Sequence, residues 1–138
     1  MTAKTVAQAF NAALGEAGGS IPTWLILSAL EWDEWHTQHE LAAALGIEGA
    51  TLTRHLDALE KADLVVRVRD TTDRRAVRVE ATDAGRELHH QLVKAAKAFD
   101  RRLRAGFSED ELEGLRALLH RLEENAGPRS RAAPRQAP

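Results

Sequence analysis

Residues Val65–Val79 carry Arg67, Arg69, Arg74, Arg75 and Arg78 against only Asp70 and Asp73, a local formal charge of +3. A guanidinium stays protonated at any pH a protein survives, and its planar fork of N–H donors matches phosphate oxygens and base edges. Gathering that many like charges in one short stretch is costly unless a polyanion is the partner. Just upstream, Thr51, Thr53, Arg54, His55 and Asp57 sit on the polar face of a helical pattern. Hydroxyls near a helix start suit phosphate contacts, and Arg54 has the reach to fork onto a guanine edge. This chemistry grips and reads a charged polymer; it breaks no bond.

The elements that must hold these groups follow from local pattern. Thr37 and Glu40 have the spacing of a capping box, which starts a helix at Gln38. Leu41, Ala42 and Leu45 form its inner side, and Gly46 supplies the positive φ of a sharp turn. A second helix then runs from Gly49 to about Ala62 on the stripe Leu52, Leu56, Leu59. Two strands follow, Val65–Arg69 and Ala76–Ala81, around the charged loop Asp70–Arg75. Val66 and Val68 alternate with Arg67 and Arg69, as a half-exposed strand requires, and Val77 and Val79 share a face of the second strand. A helix pair followed by a basic hairpin holds one helix in a major groove and a loop against the neighbouring backbone.

Flanking this core are four more helical patterns. Val6, Phe10, Ala13, Leu14 and Ala17 define the first, which stops at Gly18-Gly19; the second spans about Pro22–Glu31 with Trp24, Leu25, Leu27 and Leu30. Thr82 caps a long helix over about Asp83–Ala105, striped by Leu88, Leu92, Ala96, Phe99 and Leu103. Ser108 and Glu111 make another capping box, opening a last helix with Leu112, Leu115, Leu118, Leu119 and Leu122. The expected fold class is mainly α with a small β-wing. Residues 1–126 form one domain, with 37–82 as the winged helix-turn-helix core, 5–35 and 83–126 as dimerisation helices, and 127–138 as a disordered tail. The last two helices carry more apolar surface than one small core can cover, which predicts pairing of two chains.

Composition narrows the rest. The net charge is only −2, yet Glu31–Glu40 holds four acids and no Lys or Arg, so opposite charges are segregated along the chain. There is no cysteine, which excludes disulfides, thiolate metal sites and thiol redox chemistry. The start MTAKTVAQAF has no signal-peptide pattern and no apolar run reaches membrane-spanning length, so a cytoplasmic location is expected. No glycine-rich phosphate loop or nucleophile elbow is present, so no enzymatic activity and no cofactor are expected.

The run T-x-T-R-x-L-D-x-L-E-x-x-x-L-V from Thr51 to Val65, the triplet Asp73-Arg74-Arg75 and the T-x-A-G-R segment Thr82–Arg86 together resemble the winged-helix core of MarR-type transcriptional regulators. With the flanking helices the resemblance spans about Val6–Ala126. It implies a homodimer on double-stranded DNA at a pseudopalindromic operator, repressing until a small aromatic or phenolic effector binds. The DNA contacts implied are Thr51, Thr53, Arg54, His55, Arg69, Asp73, Arg74 and Arg75. Arg75 would reach the minor groove, Arg74 would lie near the phosphates, and Asp73 would orient a wing arginine. Two positions depart from the family pattern: His55 stands where an apolar residue is usual, and Ala62-Asp63 replaces the usual glycine before Leu64-Val65.

The segment Glu31–His36 packs two tryptophans among three acids. On the resemblance it borders an effector cleft, with Trp24, Trp32, Trp35, His36 and Phe99 as the lining; equally, Trp24 and Trp32 suit a core and Trp35 a helix junction. His36, His39, Glu40 and Asp33, with His89 or His90, offer a weaker zinc arrangement, since adjacent helical histidines diverge by about 100°. A zinc-responsive regulator of the same fold, and a winged-helix interaction module that binds no DNA, are the alternatives. No metal ligand is assigned.

Overall fold

The computed structural model describes residues 1–32, 36–73 and 75–127, and the side chains of all of these but His36. The expectations for Trp35, Arg74, the His36 side chain and residues 128–138 lie outside the described residues.

The chain order is α1 (Thr2–Glu16), α2 (Ile21–Trp32), β1 (His36–Thr37), α3 (Gln38–Leu45), α4 (Gly49–Lys61), β2 (Val65–Arg69), β3 (Val77–Ala81), α5 (Asp83–Leu103) and α6 (Glu109–Ala126). Both capping boxes form as their spacing requires. The Thr37 hydroxyl accepts the Glu40 N–H at 3.1 Å while Glu40 accepts the Thr37 N–H, and Ser108 and Glu111 do the same for α6. Gly46 closes α3 in the left-handed region at φ 62°, turning the chain into α4.

By its internal contacts the chain divides into two units, Met1–Asp100 and Arg101 onward. The core of the first unit is almost wholly leucine, isoleucine and valine. Leu14 of α1, Ile26, Leu27 and Leu30 of α2, Leu41 of α3, Leu52, Leu56 and Leu59 of α4, Val65, Val79 and Leu92 interlock in one cluster. Leu41, Leu52 and Leu56 are fully buried, and they fix the angle between the two helices of the helix-turn-helix. In the second unit, Leu103, Phe107, Leu115, Leu118, Leu119 and Leu122 are all about half exposed, and α6 buries no residue.

The sheet has the antiparallel order β1-β3-β2, with Thr37 opposite Arg78 and Arg67 opposite Val79. The two-residue β1 has no signature in the sequence, because it exists only through its pairing with β3. The hairpin itself is as expected, but the faces of β2 are reversed from what Val66 and Val68 imply. Val65 is fully buried, so the period of two turns Arg67 inward and leaves Val66 and Val68 about 40% exposed (41% and 42%).

The junction between α4, the hairpin and α5 brings backbone into close approach. Asp63 has φ 58°, the left-handed geometry that the missing glycine would have supplied, and the Leu64 N–H bonds the Leu59 carbonyl to close the helix. The Thr82 hydroxyl donates to the Asp63 carbonyl at 2.6 Å and accepts the Gly85 N–H at 3.0 Å. A Cβ on Gly85 would lie 2.0 Å from the Leu64 carbonyl oxygen. Alanine is ordinarily the better helix former by roughly 1 kcal/mol, but here it must move backbone. Gly85→Ala is therefore expected to destabilise by about 2 kcal/mol or more, and Asp63→Gly to stabilise by about 1 kcal/mol, both read from denaturant midpoints; a neutral Gly85→Ala would refute the close approach.

Candidate nucleic-acid interface

On α4, Leu52, Leu56 and Leu59 face the core, which turns Ala50, Arg54, Asp57, Ala58 and Lys61 to solvent as one ridge. Arg54 is exposed at the middle of that ridge with its guanidinium available to a groove. Thr51 and His55 flank it, half-buried. The partial burial of His55 accounts for a position where the family pattern is apolar.

Thr53 is less free than its sequence position implies. Its hydroxyl donates to the Gly49 carbonyl at 2.9 Å and accepts from Nε2 of Gln38 at 2.7 Å. That pair ties the first turn of α3 to the first turn of α4. Gln38 escaped the sequence reading because its partner lies fifteen residues away across the turn.

The hairpin loop is shaped by its two aspartates. Asp70 accepts the Thr72 N–H at 3.2 Å and the Thr72 hydroxyl at 3.1 Å, and these bonds hold its carboxyl below the usual aspartate range. Asp73 accepts the Arg75 backbone N–H at 3.0 Å. Asp73 thus sets the direction of the loop at Arg75 through the main chain. Arg69 and Arg75 are exposed, whereas Arg78 is mostly covered. Arg67 is turned away from the loop, donating through Nε to Glu60 and through Nη2 to Asp57 of α4, each at 2.5 Å. Sequence reasoning counted Arg67 only as one more wing cation; the buried Val65 two residues before it was the available signal.

These elements meet around a cleft of about 640 Å³. Its walls are Gln38, His39 and Ala42 of α3, Thr53 of α4, and Arg75 and Val77 at the base of the wing. The start of α3, the start of α4 and a wing arginine therefore open onto one concavity.

The aromatic residues separate. Trp24 packs edge-on against Phe10, with centroids 5.4 Å apart, and Phe10 lies 5.3 Å from Phe99. The Trp24 indole N–H is buried with no acceptor among the described residues. Trp32, by contrast, is 89% exposed, which excludes it from the core and from this cluster. Nearby on the same face of α2, Ser28 Oγ lies 3.1 Å from Nε2 of His89 on α5. His39 and His90 are exposed, and the described residues contain no group of three or more His, Cys, Asp or Glu placed to hold a metal. No helix of the described residues is long and apolar enough to cross a membrane.

Comparison with known proteins agrees with this geometry. The MarR family profile matches residues 20–77. The HTH-type transcriptional regulator PecS of Dickeya dadantii (strain 3937) is 38% identical over 86 residues, 62% of this chain and 52% of PecS, so the chain spans about half the length of that relative. The transcriptional repressor CouR, solved bound to a 23-mer DNA duplex, superposes with a TM-score of 0.80 at 27% identity, covering 88% of this chain and 87% of CouR. The PcaV transcriptional regulator of Streptomyces coelicolor, solved with its natural ligand, shares the fold at a TM-score of 0.77 and 22% identity over 91% of both chains. The matched family model and the shared fold are those of transcriptional regulators. By the match over the winged core and the shared architecture over most of its length, the chain is similar to the MarR-family regulators.

Proposed function

We propose that this protein is a cytoplasmic, homodimeric repressor that binds pseudopalindromic duplex DNA and releases it when a small aromatic acid or phenol binds. The observation that carries the DNA reading is the concave face onto which the α3 start, the α4 start and Arg75 open. On the exposed ridge of α4, Arg54 reads a guanine edge in the major groove and Thr51 and His55 sit beside it. Arg69, Arg74 and Arg75 meet the backbone and minor groove, with Asp73 setting the loop. Thr53 serves by fixing the helix pair. CouR, bound to a duplex through the same fold, supports this reading.

Two chains follow from α6. Leu115, Leu118, Leu119 and Leu122 recur at steps of three and four, a single apolar stripe that stays half exposed. Burying it against a second copy also supplies the twofold symmetry that a palindrome requires. For the effector, the Phe10, Trp24 and Phe99 cluster offers ring surface, and the orphan indole N–H of Trp24 a donor for an anionic or phenolic oxygen. The exposed Trp32 borders the entrance on this reading.

Fluorescence anisotropy on the duplex upstream of the protein's own gene is expected to show nanomolar binding that weakens steeply with salt. Arg75→Ala weakens it about tenfold at every sequence, whereas Arg54→Ala also removes about 1–3 kcal/mol of base discrimination; equal binding by wild type and both variants contradicts the reading. In sedimentation velocity, Leu118→Glu with Leu122→Glu converts a dimer to a monomer, and an already monomeric wild type refutes the pairing. A phenolic acid raises the melting temperature of the wild type and not of Trp24→Phe, whose lost N–H leaves the ring surface intact; an equal rise in both would remove Trp24 from the site.

A further inference from the structure

Arg67 points back into the protein, and what it reaches is the DNA-facing helix. Its Nε and Nη2 are each 2.5 Å from a carboxylate, Glu60 and Asp57, which stand three residues apart on one side of α4. The Arg67 side chain is 23% exposed, against 58% for Asp57 and 42% for Glu60, so the guanidinium is the covered member and the acids form the rim. The Asp57 bond, outweighing partial burial and reinforced by Glu60, raises the Arg67 pKa further above its ordinary value.

Two consequences meet at this triad. Asp57 lies one turn along the same exposed ridge as Arg54, and a bare carboxylate there would repel the phosphates that Arg54 must approach. Arg67 also sits opposite Val79, two residues before the hairpin pairing ends at Arg69–Val77. A guanidinium held by α4 therefore holds the base of the wing.

We propose that Arg67 is a positioning residue of the duplex-binding surface. It touches neither base nor phosphate, cancels the charge of Asp57 beside Arg54, and locks the wing at a fixed angle to α4. The inference rests on the reading of this face as the DNA-binding one, and its test separates the two.

The chain has no cysteine, so nitroxide labels on Ala58→Cys and Thr71→Cys report the distance from α4 to the wing loop without DNA. Arg67→Met is expected to broaden a narrow distance distribution, and Arg67→Lys, which keeps the charge but loses the fork, to fall between. In anisotropy titrations Arg67→Met weakens duplex binding about tenfold while the slope of log affinity against log salt stays at the wild-type value. Adding Asp57→Asn and Glu60→Gln to that variant recovers most of the loss. An unchanged distance distribution overturns the lock, and absent recovery overturns the charge cancellation. A slope lower by about 0.9, the mark of a lost phosphate contact, overturns the proposal by making Arg67 a direct ligand. Should the wild type ignore duplex DNA, the functional reading falls alone, and the label distances still judge the clamp.

Discussion

The Leu64 carbonyl accepts the Thr82 N–H at 3.1 Å, and the α-carbon of Gly85 lies so close to the same oxygen that no side chain fits between them. This approach joins the end of α4, the root of the hairpin and the first turn of α5 at one point. The orientation of every arginine in the wing depends on it, since β2 leaves Leu64 and β3 returns to Thr82. Asp63 accepts a left-handed backbone, and Thr82 spends its hydroxyl on two backbone partners, so that the three elements meet there.

From that junction outward, the surface sorts into groups that are spent and groups that are free. Thr53, Asp70 and Asp73 are occupied by internal hydrogen bonds, and Arg67 by two carboxylates. Arg54, Arg69 and Arg75 extend from this fixed frame. A long cation is an imprecise reader unless its backbone is held, because it has many rotamers to lose on contact. The spent residues hold the backbone, and the free ones carry the charge.

Much of this was legible in the sequence because it is local. Each capping box spans four residues and Gly46 acts alone, so the helix starts and the turn of the helix-turn-helix needed no knowledge of the fold. The stripe Leu52, Leu56, Leu59 turned Arg54 and Asp57 outward by period alone, whereas Thr51, Thr53 and His55, expected beside them, are half-buried. What escaped was non-local. Strand β1 exists only opposite β3, Gln38 finds Thr53 across the turn, and Arg67 finds its acids by crossing from strand to helix. The facing of β2 failed for a related reason: one buried residue, Val65, decides the phase of the alternation, and charge content alone does not reveal it. Trp32 shows the converse, an apolar residue whose type implies a core and which stands at the exposed end of α2.

The account turns on two copies of a winged surface gripping one duplex symmetrically. Hydroxyl-radical footprinting of the wild-type chain on its operator measures this most directly, since it maps backbone contacts at single-nucleotide spacing. The predicted pattern is two protected patches related by a dyad, their centres about one helical turn of DNA apart, each flanked by a minor-groove patch from the wing. A single patch without a dyad, or uniform cleavage, would contradict it.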